Sequence, residues 1–265
     1  MNEQNEIVPQ VMTPSALESQ SRAEYDVAIV TAHRFPRSIS QFFQRAESLA
    51  TATPEIAASM QYAKPVGGGK VVGPSTRLAE IVAATYGNLR VQARIIAETA
   101  TEIVAQGVAH DLETNVAQST EVAVSIVTSS GKRYGNDQVA TMRAAACSKA
   151  RRNATFLVVP LALCQPVIAA ARKVAAGDAK TLPQRRDTCL DWFAAKGVKL
   201  QAILDWLGVK AKEDVSLEHM ADLIAAQNTA KEENVSLVDL FAKPRPDRTT
   251  DNFGDAPAAA QGGAA

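Results

Sequence analysis

The chain has 265 residues, 46% of them hydrophobic and 21% charged, and its 28 Lys and Arg are balanced by 28 Asp and Glu. That is ordinary globular composition, with enough apolar material to fill the core of one large domain or two modest ones. A membrane-spanning helix is excluded on the sequence, because the longest apolar run, Phe156 to Cys164, is interrupted by Pro160 and a span needs roughly 20 residues.

Residues 1–24 are polar and weakly patterned, so a flexible N-terminal arm is expected. The arm opens on Met1-Asn2-Glu3-Gln4-Asn5-Glu6, with neither a basic segment nor an apolar stretch, which points to a cytoplasmic protein rather than a secreted one. Residues 25–176 form the expected core. Ile39, Phe42, Phe43, Ala46, Leu49 and Ala50 recur at helical spacing, and Pro54 opens a second, shorter helix. Lys64 to Ser75, rich in Gly and Pro, reads as a loop. Ser75 is placed to cap a helix with Leu78, Ile81 and Val82 inward, and Gly87-Asn88 ends it.

The period then changes. Leu89, Val91, Ala93 and Ile95 alternate with Arg90, Gln92 and Arg94, the pattern of a half-buried strand. Ile103–His110 and Val116–Thr128 are expected as two more strands, with a turn at Ser129-Ser130-Gly131-Lys132. Asp137 then opens a helix reaching about Phe156, roughly 30 Å long. The fold class is therefore α+β, with a strand–strand–strand–helix core and flanking helices. After a linker near Gly177–Pro183, residues 184–241 carry three amphipathic segments and both tryptophans, as expected of a small all-helical module. Gly197 and Gly208 are placed as its C-caps and Ser216 as an N-cap. Residues 242–265, dominated by Pro, Asp, Gly and Ala, are expected to be a disordered tail.

Zero net charge conceals an uneven distribution. Residues 132–173 hold Lys132, Arg133, Arg143, Lys149, Arg151, Arg152, Arg172 and Lys173 against Asp137 alone. A clustered basic face attracts polyanions even on a neutral molecule; acids elsewhere in the fold can also offset it, and charge alone leaves both readings open. The three cysteines, Cys147, Cys164 and Cys189, are widely spaced with no CxxC, and read as buried thiols in a reducing compartment.

Catalytic motifs fare poorly. The glycine run fails the Walker pattern, since Lys64 stands where Gly is needed and Val71 follows Lys70 where Ser or Thr must reach magnesium. His110-Asp111-Leu112-Glu113 gathers possible metal ligands, but on an extended segment His110 and Asp111 point to opposite faces. A strand-to-turn corner is the simpler reading, and a metal-dependent nuclease using Asp111 and Glu113 is the alternative.

The long helix is more informative. Ala145, Lys149, Arg152 and Phe156 share one face, while Arg143, Cys147, Ala154 and, at its margin, Arg151 share another. Its many alanines keep it thin enough to lie close to a sheet or to a neighbouring subunit. Arg and Lys stripes suit a wall that neutralises phosphates without reading bases. Lys132, Arg133 and Tyr134 extend it with an aromatic ring beside two cations, suited to stacking on an unpaired base or simply to packing against the helix start.

Three stretches carry a resemblance: Gly67-Gly68-Gly69-Lys70-Val71-Val72-Gly73-Pro74-Ser75-Thr76-Arg77-Leu78-Ala79-Glu80 with Tyr86-Gly87-Asn88-Leu89-Arg90; Ala105 to Asn115; and Arg143 to Asn153. Together they resemble phage-type single-strand annealing proteins of the RecT/Redβ recombinase class, over roughly residues 61–172. The resemblance implies a non-enzymatic protein that needs no cofactor. It would bind single-stranded DNA without ATP, form homo-oligomeric rings or helical filaments, and anneal complementary strands in homologous recombination and DNA repair. Residues 25–176 would be the oligomerising, DNA-binding core. Residues 184–241 would dock a phage exonuclease or the host single-strand-binding protein. His110, Asp111 and Glu113 would be structural or intersubunit residues. Lys132, Arg133, Tyr134, Arg143, Lys149, Arg151 and Arg152 are the DNA-binding candidates, with Arg77 and Arg90 in second rank. Besides the nuclease, a purely structural ring-former whose basic block pairs with acids of its neighbour is the remaining reading.

Overall fold

The computed structural model describes residues 14–66, 69–128, 130–233 and 237–241. It is an α+β fold with two small antiparallel sheets, one of two strands and one of three. The expected tail, 242–265, and the first 13 residues of the expected arm lie outside the described residues. The rest of that arm is helical: α1 runs Pro14–Arg34, so the anticipated boundary at residues 24 and 25 falls inside one helix.

Helices α2 (Ile39–Ala50) and α3 (Pro54–Ala58) follow, each capped by a side chain. Ser38 Oγ accepts from Gln41 N and Thr53 Oγ1 from Ile56 N, which satisfies donors the helix start leaves open. Outside Gly67 and Gly68, which are not among the described residues, the segment from Lys64 to Ser75 is not a loop. It supplies the end of β1 (Gln61–Val66) and all of β2 (Gly69–Pro74), a hairpin with Gln61 opposite Pro74. Ser75 caps α4 (Thr76–Thr85) through Leu78 N at 3.1 Å and donates to Ser59 O at 2.6 Å, tying the helix start to the chain before the hairpin.

Strands β3 (Leu89–Glu98), β4 (Glu102–Asp111) and β5 (Val116–Ser125) form a meander in the order β3-β4-β5. On one face Ala93, Ile95, Ile103, Ala105, Val122 and Val124 pack with Ile126 against α5 (Asn136–Val158). The strand–strand–strand–helix order expected from periodicity is thus present. The helix lies unusually close: a Cβ built on Gly107 would sit 2.1 Å from the carbonyl oxygen of Ala150, and Ala146 and Ala150 are fully buried.

At Pro160 the chain turns through 116° into α6 (Leu161–Ala176), whose Cys164, Val167, Ile168 and Ala171 complete a second core with α2, α3 and α4. Helices α7 (Leu182–Ala195), α8 (Leu200–Leu207), α9 (Leu217–Glu233) and α10 (Leu237–Phe241) enclose a third core around Phe193, Ile203, Met220 and Leu223. Gly197 and Gly208 terminate α7 and α8 with positive φ, as their placement requires. This module is not merely tethered. Thr229 of α9, buried, accepts from Ala63 N at 3.1 Å and donates to Ala63 O at 2.9 Å, covering part of the β1 edge. Arg172 joins Gln61 on β1 to Asp222 on α9, at 3.0 Å to each.

All three cysteines are free. Burial pushes the Cys164 thiol up to about 11 and that of Cys189 up to about 12. Ellman's reagent is therefore expected to modify only the half-buried Cys147 at an appreciable rate in the native protein, and all three thiols in denaturant. Fast native titration of a second thiol would contradict this packing. No single helix among the described residues is long and apolar enough to cross a membrane.

Candidate nucleic-acid interface

The basic residues of 132–152 divide between the two ends of α5, both on its β3 side. At the N-terminal end Arg143 and Arg133 converge on Glu98, the last residue of β3. Arg143 donates from Nε to Oε2 and from Nη2 to Oε1, both at 2.9 Å, while Arg133 Nη2 reaches Oε1 at 2.7 Å. Arg133 Nη1 also donates to the carbonyls of Thr99 and Ala100, so the β3–β4 turn and the start of α5 share one guanidinium. The arginines hold the Glu98 carboxyl below the usual range, Arg143 contributing most and Arg133 next. Lys132, next to Arg133 in the chain, is exposed. Tyr134 is half-buried against the Ile103–Ile126–Val139 cluster, so its ring serves the core rather than standing open for stacking.

At the C-terminal end α5, α4 and β3 bound a cleft of about 370 Å³. Ala79, Ala83, Leu89 and Val91 make an apolar lining; Thr76, Ser148 and Thr155 add hydroxyls; Glu80, Arg151 and Arg152 stand at its charged rim. Arg151 is exposed and 3.6 Å from Glu80. Arg77 joins the same carboxylate at 3.1 Å. Arg152 is held by Asn153 Oδ1, 3.1 Å from Nε and 3.0 Å from Nη2, and its guanidinium lies 5.0 Å from the ring centre of Tyr62. That ring covers Gly73, where an added Cβ would come within 2.7 Å of it. Lys149 lies half-buried on the intervening turns of α5.

Arg90 is not part of this line. Alternation along β3 turns it to the opposite face of the sheet, where its guanidinium stacks 4.3 Å from the Tyr25 ring centre on α1. Sequence reasoning also missed three residues that set the site's electrostatics and shape: Glu80, Glu98 and Tyr62. Glu80 sits three residues after Arg77, a helical pairing interval. Nothing local links Glu98 to Arg133, 35 positions on, or Tyr62 to Arg152.

The carboxylates of the nuclease alternative meet an arginine instead of each other. Arg37, from the segment joining α1 to α2, donates through Nη2 to Asp111 Oδ1, through Nε to Glu113 Oε1 at 2.9 Å, and through its backbone N–H to the same oxygen at 2.7 Å. Asn88, in the left-handed region with φ 51°, adds a bond to Glu113 at 2.6 Å. Burial opposes the charge on Asp111 and Glu113, yet the bonds from Arg37, with Asn88 at Glu113, outweigh it and leave both carboxyls below their ordinary values. Burial likewise opposes the Arg37 charge, and the two carboxylates overcome it and raise its pKa. His110 faces the other way, bonded at 2.9 Å to Asn115 Oδ1. Among the described residues no group of three or more His, Cys, Asp and Glu is placed to hold a metal ion. This corner is a lock between α1–α2 and the end of the sheet.

Comparison with family models, with curated proteins and with solved structures returns no match for the chain.

Proposed function

We propose that this protein binds single-stranded DNA along the β3 side of α5 and anneals complementary strands without nucleotide or metal, as a homo-oligomer of the RecT/Redβ kind. The observation that carries the reading is the distribution of cations: Lys132, Arg133 and Arg143 at one end of α5, and Arg151, Arg152 and Arg77 around the cleft at the other. From Arg143 to Arg151 the helix rises roughly 12 Å, so the two clusters suit separate, non-adjacent phosphates of one extended strand. Contacts of this kind neutralise the backbone and leave base edges free, which is what annealing requires. A second strand then samples registers until pairing outlasts dissociation.

Self-assembly has structural support as well. Among the described residues both β3 and β5 are edge strands of their sheet, each offering unpaired backbone groups to a neighbour. Asp111 and Glu113 keep the structural role described above, and with Arg37 between them no observation favours the nuclease.

Affinity for oligo(dT) is expected to fall steeply with salt, because each neutralised phosphate releases counterions. Arg151→Glu, at an exposed site, is expected to weaken binding by about tenfold at moderate salt, with unchanged circular dichroism. The deciding assay pairs two complementary labelled oligonucleotides in the absence of ATP and metal, followed by sizing of the complex. Accelerated pairing in a large nucleoprotein assembly supports the proposal; no acceleration, with protein that binds no oligo(dT) at low salt, overturns it.

A further inference from the structure

Two guanidiniums of a basic face normally repel each other, but at the N-terminal end of α5 they are drawn to a single point. Arg143 presents its Nε–Nη2 fork to both oxygens of Glu98, and Arg133 adds Nη2 to one of them. Two-oxygen recognition by an arginine fork is equally the geometry of a phosphate contact. Arg133 has a second anchor, since its Nη1 is held by the Thr99 and Ala100 carbonyls at 3.1 and 3.2 Å. Departure of the Glu98 carboxylate would therefore leave Arg133 where it is. Lys132, the neighbour of Arg133 in the chain, is also exposed. The three ion-pair partners are all partly open to solvent, with side-chain exposures of 40% for Arg133, 46% for Arg143 and 26% for Glu98, so an external anion has access.

We propose that Glu98 is an internal stand-in for a backbone phosphate: it fills a preorganised phosphodiester site between Arg133 and Arg143 in the free protein and is displaced when a strand binds. The inference rests on the single-strand-binding reading and adds to it a residue that lowers affinity. A mask of this kind sets a threshold. Short or isolated anions fail to displace a tethered carboxylate, whereas a strand already held at the Arg151–Arg152 cleft brings its next phosphates to the site at high effective concentration. Glu98 therefore favours long strands over mononucleotides and free phosphate.

The experiment is an anisotropy titration of fluorescein-labelled oligo(dT) over a salt series, with wild type, Glu98→Gln and Glu98→Ser. Gln keeps an amide oxygen to accept from an arginine while removing the charge; Ser removes the mask altogether. Both variants are expected to bind roughly three- to tenfold more tightly than wild type. Arg143→Ala is expected to cost more affinity in the Glu98→Gln background than in wild type, because the fork is then fully available to DNA. Equal or weaker binding by variants that remain folded overturns the mask and makes Glu98 a structural strut. Loss of folding in both variants, read by circular dichroism, assigns it the same strut role and also overturns the proposal. Absence of oligo(dT) binding by wild type and variants alike at low salt is a different result, and removes the single-strand-binding reading itself.

Discussion

Replacing Arg37 by Ala is expected to cost about 3–5 kcal/mol of stability at neutral pH, the range for removing one partner from a buried ion pair. The side chains concerned are largely withdrawn from water, with 8% exposure at Arg37, 8% at Asp111 and 19% at Glu113. The guanidinium also lies 4.2 Å from the ring centre of Tyr86, so the variant loses a cation–π contact as well as two carboxylate partners. Its pH dependence separates this account from a simple packing defect. In wild type both carboxyls titrate below their ordinary values, so their stabilisation is complete above the usual carboxylate range and is lost as pH falls through the folded-state values. In the variant the cation is gone and burial dominates, raising the same pKa values; protonation then relieves the folded state. The stability gap between the two proteins is expected to narrow as pH drops below about 4. Urea titrations at neutral and acid pH measure it directly, and a gap constant with pH would remove Asp111 and Glu113 from the explanation.

That lock also shows where local sequence ceases to be informative. Arg37 meets Asp111 and Glu113 across more than 70 residues, and no periodicity or capping rule connects such positions. The meander and α5 are legible because each buries one face: apolar residues recur every second position in β3 and β5, and the turn chemistry between them is local. Caps at Ser75, Gly197, Gly208 and Ser216 are legible for the same reason. The β1–β2 hairpin is not, since its Pro and Gly content reads as loop and much of its support comes from α9, 166 residues away at the Ala63–Thr229 pair. Helix α1 leaves almost no pattern because, of its side chains that are described, only Ala32 is buried, with Val27 and Val30 each 67% exposed. Helix α6 carries Pro166 in its interior and follows Pro160, which obscures a helix that tertiary packing nevertheless holds. In the candidate interface the cations were visible as a charge run, but Glu80 and Glu98, which neutralise part of it, were visible only once strand and helix lay side by side.

Gly107→Ala is expected to destabilise the protein by about 3 kcal/mol or more, at the upper end of what overpacking costs. For a chain of this size that corresponds to a fall in Tm of roughly 6–12 °C. The added methyl would lie 2.1 Å from the Ala150 carbonyl oxygen and 2.4 Å from its carbon. These are backbone atoms of a helix interior, so no rotamer change relieves the contact; α5 must lift off β4 or the strand must bend. Ala105 and Ala109 flank Gly107 on the same face of β4 and Ala146 lies one turn from Ala150, so small residues on both sides set the close approach. Lifting α5 would also move Arg143 away from Glu98 and Arg151 away from the cleft, because both ride on the same helix. The variant is therefore expected to lose oligo(dT) affinity at temperatures where it is still folded, in step with weakened protection of the α5 amides in hydrogen exchange. Gly107→Ala with wild-type Tm would show that α5 packs further from the sheet, and the spacing that aligns the two basic clusters along β3 would then have to be redrawn.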